Sequence, residues 1–76
     1  MINSIKNISV VFIGAGNLAT NLAKALYKKG FCIQQVYSRT EESAKTLAHL
    51  VESTFTTSLE EVTNNASLYI VSLTDD

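Results

Sequence analysis

The first apolar run of the chain, Ile8, Val10, Val11, Phe12 and Ile13, is β-branched and aromatic, almost unbroken, and stops at a glycine. Such a run suits a parallel strand buried on both faces, since a strand with one wet face alternates apolar with polar residues. From Asn17 to Lys29 the period lengthens. Leu18, Leu22, Ala25 and Leu26 fall on one stripe, while Asn21, Lys24 and Lys28 face away from it. The pattern predicts a helix whose negative end is matched by Lys28 and Lys29, and which stops at Gly30 in a left-handed conformation. Phe31 to Tyr37 regains strand character through Ile33 and Val36, and the pair Gln34 and Gln35 points to partial exposure or a nearby edge.

The second half repeats this alternation. Thr40 is placed to cap a helix in which Glu41 and Glu42 occupy the positive first turn and Ala44, Leu47, Ala48 and Val51 form a buried stripe. Ser53 to Thr57 reads as a short strand. Ser58, Leu59, Glu60 and Glu61 then read as a capping box for a short helix ending at Asn64 and Asn65, before a fourth strand from Ser67 to Leu73. This order predicts an α/β fold, a Rossmann-type parallel sheet with flanking helices and right-handed crossovers. Residues 1–76 hold no internal linker, repeat or low-complexity tract. Thr74, Asp75 and Asp76 follow the fourth strand where a whole fold of this class continues into another helix, so the unit reads as an amino-terminal part, truncated after that strand.

Composition narrows the function. The 76 residues amount to about half of a doubly wound domain, and a chain this short buries only about 60% of its unfolded surface. Hydrophobic residues at 46% against charged residues at 17%, with no proline, describe a packed domain rather than a disordered one. Six basic and seven acidic residues leave a net charge of −1 and no field to draw nucleic acid or an anionic membrane. Cys32 stands alone and cannot close an internal disulfide, and Ile8 to Ile13 is too short for a signal core or a membrane span. A cytoplasmic setting and a small-molecule substrate are therefore expected.

Gly14, Ala15, Gly16, Asn17, Leu18 and Ala19 follow a buried strand and open a helix, which is the context a dinucleotide-binding turn requires. In this reading Gly14 makes the tight turn, Gly16 leaves room for a pyrophosphate, and the helix start aims its amides at the phosphates. Ala19 fills the third small position, where helix meets sheet. The competing reading is a plain tight connection between strand and helix.

The second strand decides which nucleotide binds. An NAD-binding domain usually carries an acid about 20 residues beyond the glycines, to hold the ribose hydroxyls. Here the sequence reads Tyr37, Ser38, Arg39, Thr40, which offers a guanidinium and two hydroxyls to the 2′-phosphate of NADP. Glu41 and Glu42 come after the arginine and read as helix stabilisers. A methyltransferase using S-adenosylmethionine shares the glycine-rich turn but needs an acid after its second strand, so Ser38 and Arg39 argue against it.

With the glycine turn, the segment Ser38, Arg39, Thr40 and the strand Leu68 to Asp76 read together, the whole chain resembles the amino-terminal domain of the pyrroline-5-carboxylate reductase and deazaflavin-dependent NADP oxidoreductase group. Within it the chain looks closest to Rossmann-like reductases whose nucleotide domain is followed by a helical domain that forms dimers. The resemblance implies NADP as cofactor and a homodimer built through such a carboxyl-terminal helical domain. It implies cofactor contacts from Gly14, Ala15, Gly16, Asn17, Leu18 and Ala19 at the pyrophosphate, and from Ser38, Arg39 and Thr40 at the adenosine phosphate. Ser72, Leu73 and Thr74 are implied near the nicotinamide. In pyrroline-5-carboxylate reductases the fourth strand leads into an apolar segment ending in lysine and proline; this chain has Leu73, Thr74, Asp75 and Asp76 instead.

The expected activity is hydride transfer between NADPH and a small imine, carbonyl or deazaflavin-type acceptor, with an NADP-sensing regulatory module as the alternative. No catalytic residue and no metal site is assigned. His49 reads as a helix-surface residue and Cys32 as a small apolar residue starting a buried strand, while Asp75 and Asp76 sit beyond a strand end but do not make a metal site by themselves. Because half of the crevice would be missing, a chain ending at Asp76 is expected to bind cofactor weakly.

Overall fold

The computed structural model describes residues 8–72. Its first strand, β1 (Ser9–Ile13), has Val10, Val11 and Phe12 fully buried, so it is covered on both faces as its unbroken apolar run requires. The chain continues through α1 (Asn17–Lys28), β2 (Cys32–Tyr37), α2 (Glu41–Leu50), β3 (Thr54–Thr56), a single 3-10 turn at Leu59–Glu61, and β4 (Leu68–Val71). All pairings are parallel, in the order β3-β2-β1-β4, so each strand is reached by a crossover rather than a hairpin. This is the expected α/β sheet, with β1 and β2 inside and β3 and β4 at the edges.

Residues partnered across a ladder share a face of the sheet. On one face Val10, Phe12, Ile33 and Val36 meet Ala19 and Ala23 of α1, and Ala44, Leu47 and Ala48 of α2. Each fully buried Val, Leu or Phe stabilises by about 1.5–3 kcal/mol, so this cluster is the main source of stability. The helix stripe differs from expectation. Ala19 and Ala23 face the sheet with Leu26 half-buried, whereas Leu18 is 64% and Leu22 38% exposed. With the methyl groups of Ala19 and Ala23 fully buried at the contact, a larger side chain there would have to push α1 away from the strands.

Both helices end with the same device. The Gly30 N–H donates to the Tyr27 carbonyl and the Phe31 N–H to the Leu26 carbonyl, with Gly30 at φ 106°, as its sequence position suggested. After α2 the Ser53 N–H reaches the Ala48 carbonyl, and Glu52 takes the left-handed position at φ 54°. A side chain is disfavoured there. Glu52 also links the two helix ends, since its carboxylate accepts a hydrogen bond from the Tyr27 hydroxyl.

The glutamines of β2 are half-buried, as one of the two expectations had it, and their strand is an inner one next to the edge strand β3. The register slips between Val10 and Val11, so that Val10 pairs with Ile33 and Val11 with Gln35. This bulge lets Ile33 and Val36 share the helix face although they are three residues apart, and it sends Gln35 to the opposite face. There the segment joining β3 to β4 crosses the sheet. The Gln35 side chain accepts from the Thr63 N–H at 2.8 Å and donates to the Glu61 carbonyl at 3.2 Å, and the Tyr69 hydroxyl donates to the Thr63 carbonyl. A reciprocal contact between Ser9 and Ser67, 58 positions apart, pins the start of β4 to β1.

Further expectations change in this crossover and nearby. The capping box at Ser58 does not form: no side chain caps the turn, which is over by Glu61 rather than Asn64, and the Glu61 carboxylate is engaged by Thr56. Thr40 stands at the cap position of α2, but its hydroxyl makes no capping bond. Cys32 is exposed, because alternation turns it away from the helix face that Ile33 joins, at the amino end of the sheet. The fourth strand spans Leu68–Val71, and Leu73, expected within it, lies outside the described residues.

Two outcomes follow from this packing. Ala23→Leu forces an isobutyl group between α1 and the sheet and is expected to lower unfolding free energy in urea by about 1–3 kcal/mol, whereas Leu22→Ala on the outer side costs less. The Glu52 carboxylate, by its hydrogen bond first, raises the Tyr27 pKa above the ordinary 10.0. The stabilisation from this raised pKa is present below pH 10 and is lost as the phenol ionises at higher pH. NMR titration of ring-labelled tyrosine should show Tyr27 ionising above its usual value and returning toward it in Glu52→Gln.

Candidate cofactor-binding site

The ladder places Ile13 beside Tyr37 on one side and Val71 on the other, so the carboxyl ends of β2, β1 and β4 are aligned. The chain leaves β1 toward β2, yet β4 lies on the other side of β1. This reversal of direction opens a crevice beyond the strand ends, the place where open α/β sheets take their ligands. Gly14 stands at the end of β1 on the rim of that crevice.

Backbone hydrogen bonds extend the ladder into the loops. The Gly14 N–H donates to the Tyr37 carbonyl at 2.7 Å, the Ser38 N–H to the Thr56 carbonyl at 3.2 Å, and the Ser72 N–H to the Ile13 carbonyl at 2.8 Å. The glycine turn, the segment Ser38 to Thr40 and Ser72 are thereby held together although they lie far apart in sequence. Leu73 and Thr74, expected on the same rim, lie outside the described residues, as do Asp75 and Asp76.

The two glycines of the turn serve different purposes. Gly14 is buried at φ 118°, a backbone region that penalises a side chain, and so it is needed for conformation. Gly16 is the residue before α1 and has φ −76° and ψ −169°, an extended geometry with negative φ that other residues also adopt. Its missing side chain is therefore explained by space and not by backbone shape. No side chain caps α1. The first ordinary helical bond is Thr20 N–H to the Gly16 carbonyl at 2.8 Å, and helix geometry turns the earlier amides out of the helix start. Ala19 is buried against the sheet, while Asn17 and Leu18 are exposed at this end of α1.

At the end of β2, Ser38 is half-buried and Arg39 and Thr40 are exposed. The Thr40 N–H donates to the Ser38 hydroxyl at 3.4 Å, which curls the segment into the start of α2. With the Thr40 hydroxyl not used for capping, this loop offers a guanidinium, a hydroxyl and the positive end of a 10-residue helix to an anion. Glu41 and Glu42 in the first turn of α2 offset part of that dipole.

A depression of about 240 Å³ lies on the helix side, between α1 and α2, lined by Ala15, Thr20, Glu42, Ser43, Thr46, Leu47 and Leu50. It contains an acid and no basic side chain, so it does not suit phosphate, and the crevice at the strand ends remains the better anion site. His49 is exposed on α2. Among the described residues no three His, Cys, Asp or Glu side chains gather as metal ligands, and no helix is long and apolar enough to cross a membrane.

Sequence reasoning missed the polar groups that position this rim, chiefly Thr56 and Gln35. For Gln35 the available signal was a polar residue on an apolar strand, which has to find a partner when it is half-buried; for Thr56, on a short edge strand, there was none.

A solved structure from Bacteroides fragilis, provisionally named an NADP oxidoreductase, shares 68% identity with a TM-score of 0.90 over 93% of this chain and 28% of its own. A Desulfitobacterium hafniense structure, provisionally named an NADPH-dependent oxidoreductase, has the same fold, with a TM-score of 0.72 at 20% identity over 87% of this chain and 20% of its own. The chain thus spans well under half the length of either protein. No curated protein matches it. Residues 9–74 match the family described as NADP oxidoreductase, coenzyme F420-dependent, and the chain, with its glycine turn at the end of a buried parallel strand, belongs to that family.

Proposed function

We propose that this chain is the nucleotide-binding part of an NADP(H)-dependent oxidoreductase, with the pyrophosphate at Gly14 to Ala19 and the 2′-phosphate at Ser38, Arg39 and Thr40. The observation that carries the reading is Gly16: its backbone does not need glycine, so the vacant Cβ position at the mouth of α1 is explained by a ligand that approaches the main chain there. Family membership and the 68%-identical relative's provisional name support the same reading. Arg39 in place of the NAD-selecting acid supports NADP over NAD.

The bound nicotinamide supplies hydride chemistry. The work of these residues is to bind and orient. Amides at the start of α1 face the pyrophosphate charge, Arg39 forms charge-assisted hydrogen bonds to the 2′-phosphate, and Ser72 is placed beside the end of β1, where the nicotinamide half extends. A small imine, carbonyl or deazaflavin-type molecule is proposed as the acceptor.

Two variants test the binding reading. Gly16→Val should keep its circular dichroism spectrum and melting temperature close to wild type while losing NADPH binding. Arg39→Ala should weaken NADPH about 10- to 100-fold, the size of a lost hydrogen bond to a charged group, with little change for NADH. Tighter binding of NADH than NADPH by the wild-type chain would sink the NADP assignment. NADPH oxidation with candidate acceptors, measured on a protein of the length of the Bacteroides fragilis relative, tests turnover.

A further inference from the structure

We infer that Thr56 is a positioning residue for nucleotide selection, fixing the segment Ser38–Thr40 through the backbone of Ser38. The inference rests on the NADP(H) reading above and adds a residue outside the cofactor-contacting set.

Thr56 ends β3 and is a buried polar residue, 7% exposed. Its carbonyl reaches the rim, and its hydroxyl reaches the 3-10 turn behind it. Its carbonyl accepts the Ser38 N–H at 3.2 Å. Its hydroxyl accepts the Ser58 N–H at 3.1 Å and donates to the Glu61 carboxylate at 3.0 Å, with the Ser58 carbonyl at 3.4 Å as a weaker second acceptor. The hydroxyl is thus held on both its donor and acceptor sides by the 3-10 turn.

This anchoring matters because Thr56 is the carboxyl end of a short edge strand, the end that meets Ser38. The strand is three residues long, lies at the sheet edge with β2 as its strand partner, and exposes Thr54 and Phe55. Arg39 is itself exposed, so its position is set by its neighbours Ser38 and Thr40. Ser38 in turn depends on Thr56, and Thr40 on the Ser38 hydroxyl. The register also sets Thr56 beside Tyr37, whose carbonyl receives the Gly14 N–H, so the pyrophosphate turn and the 2′-phosphate segment share one support. Removing the Thr56 hydroxyl leaves Arg39 in place chemically but frees the strand end that aims it. A misplacement of about 1 Å at a charged contact is enough to blunt discrimination.

The test measures dissociation constants for NADPH and NADH on the full chain, with thermal melts, for wild type, Thr56→Val, Thr56→Ser, Glu61→Ala and Thr54→Val. Thr56→Val should reduce the NADPH-over-NADH preference about five- to tenfold, the scale of one hydrogen bond. Thr56→Ser should restore it, and Glu61→Ala should lower it by a smaller factor. Thr54, whose hydroxyl donates to the Gln34 carbonyl at 3.0 Å farther back on the same strand, is the structural control: Thr54→Val should leave the preference unchanged even if the melt shifts. Should Thr56→Val fail to fold, Glu61→Ala carries the test. Unchanged preference in folded Thr56→Val and in Glu61→Ala, or an equal loss in Thr54→Val, overturns the positioning role while leaving the NADP reading intact. A wild-type chain with no preference for NADPH overturns both.

Discussion

Burial of β1 on both faces is the constraint from which the rest of the molecule follows. A strand with Val10, Val11 and Phe12 all fully buried needs a layer on each side and a parallel neighbour at each edge. The helices α1 and α2 cover one face, and the segment from β3 to β4 crosses the other. The same arrangement brings three strand ends to one rim, so the demand to bury a hydrophobic strand is also what gathers glycine turn, arginine loop and Ser72. In this fold the site is a by-product of how the core closes.

How closely α1 approaches that core is set at its start. Ala19 and Ala23 face the sheet, and the larger Leu18 and Leu22 are turned outward. Close approach brings the helix start near the strand ends, where a phosphate can meet its amides, and limits what the inner face can contain. Packing against the strands and the proposed approach of a phosphate favour the same small residues, Gly14, Ala15, Gly16 and Ala19, while Asn17 and Leu18 face outward.

Much of this was legible in the residues. Unbroken β-branched runs, Gly30 as a helix stop and the order of elements all follow from local chemistry, and the structure reproduces them. The misreadings arise where a long-range partner overrides a local preference. Periodicity favoured leucines for the buried stripe of α1, but helix-to-sheet distance selected alanines. For Gln35 partial exposure was foreseen, but nothing local shows that the crossover from β3 to β4 will use both ends of its amide. Glu61 fitted a capping box with Ser58, yet the hydroxyl of Thr56 provides a better-enclosed partner. The glycine turn and Ser38 to Thr40 stand out as candidates because their chemistry is local; the contacts of Thr56 do not, since they exist only after β3 has joined β2.

The contact between Ser9 and Ser67 bears on how the domain assembles. It closes a separation of 58 residues, while β1 and β2 are joined through a much shorter connection. The chain-entropy cost of closure rises only slowly with loop length. With β1, β2 and β3 paired, the segment from β3 to β4 is the loop that remains to be closed, so a few polar contacts suffice to seat β4 beside β1. The crevice at the end of β1 exists only where β4 is paired there. A ligand that bridges the ends of β1 and β4 binds only the paired form, so by mass action it stabilises that junction.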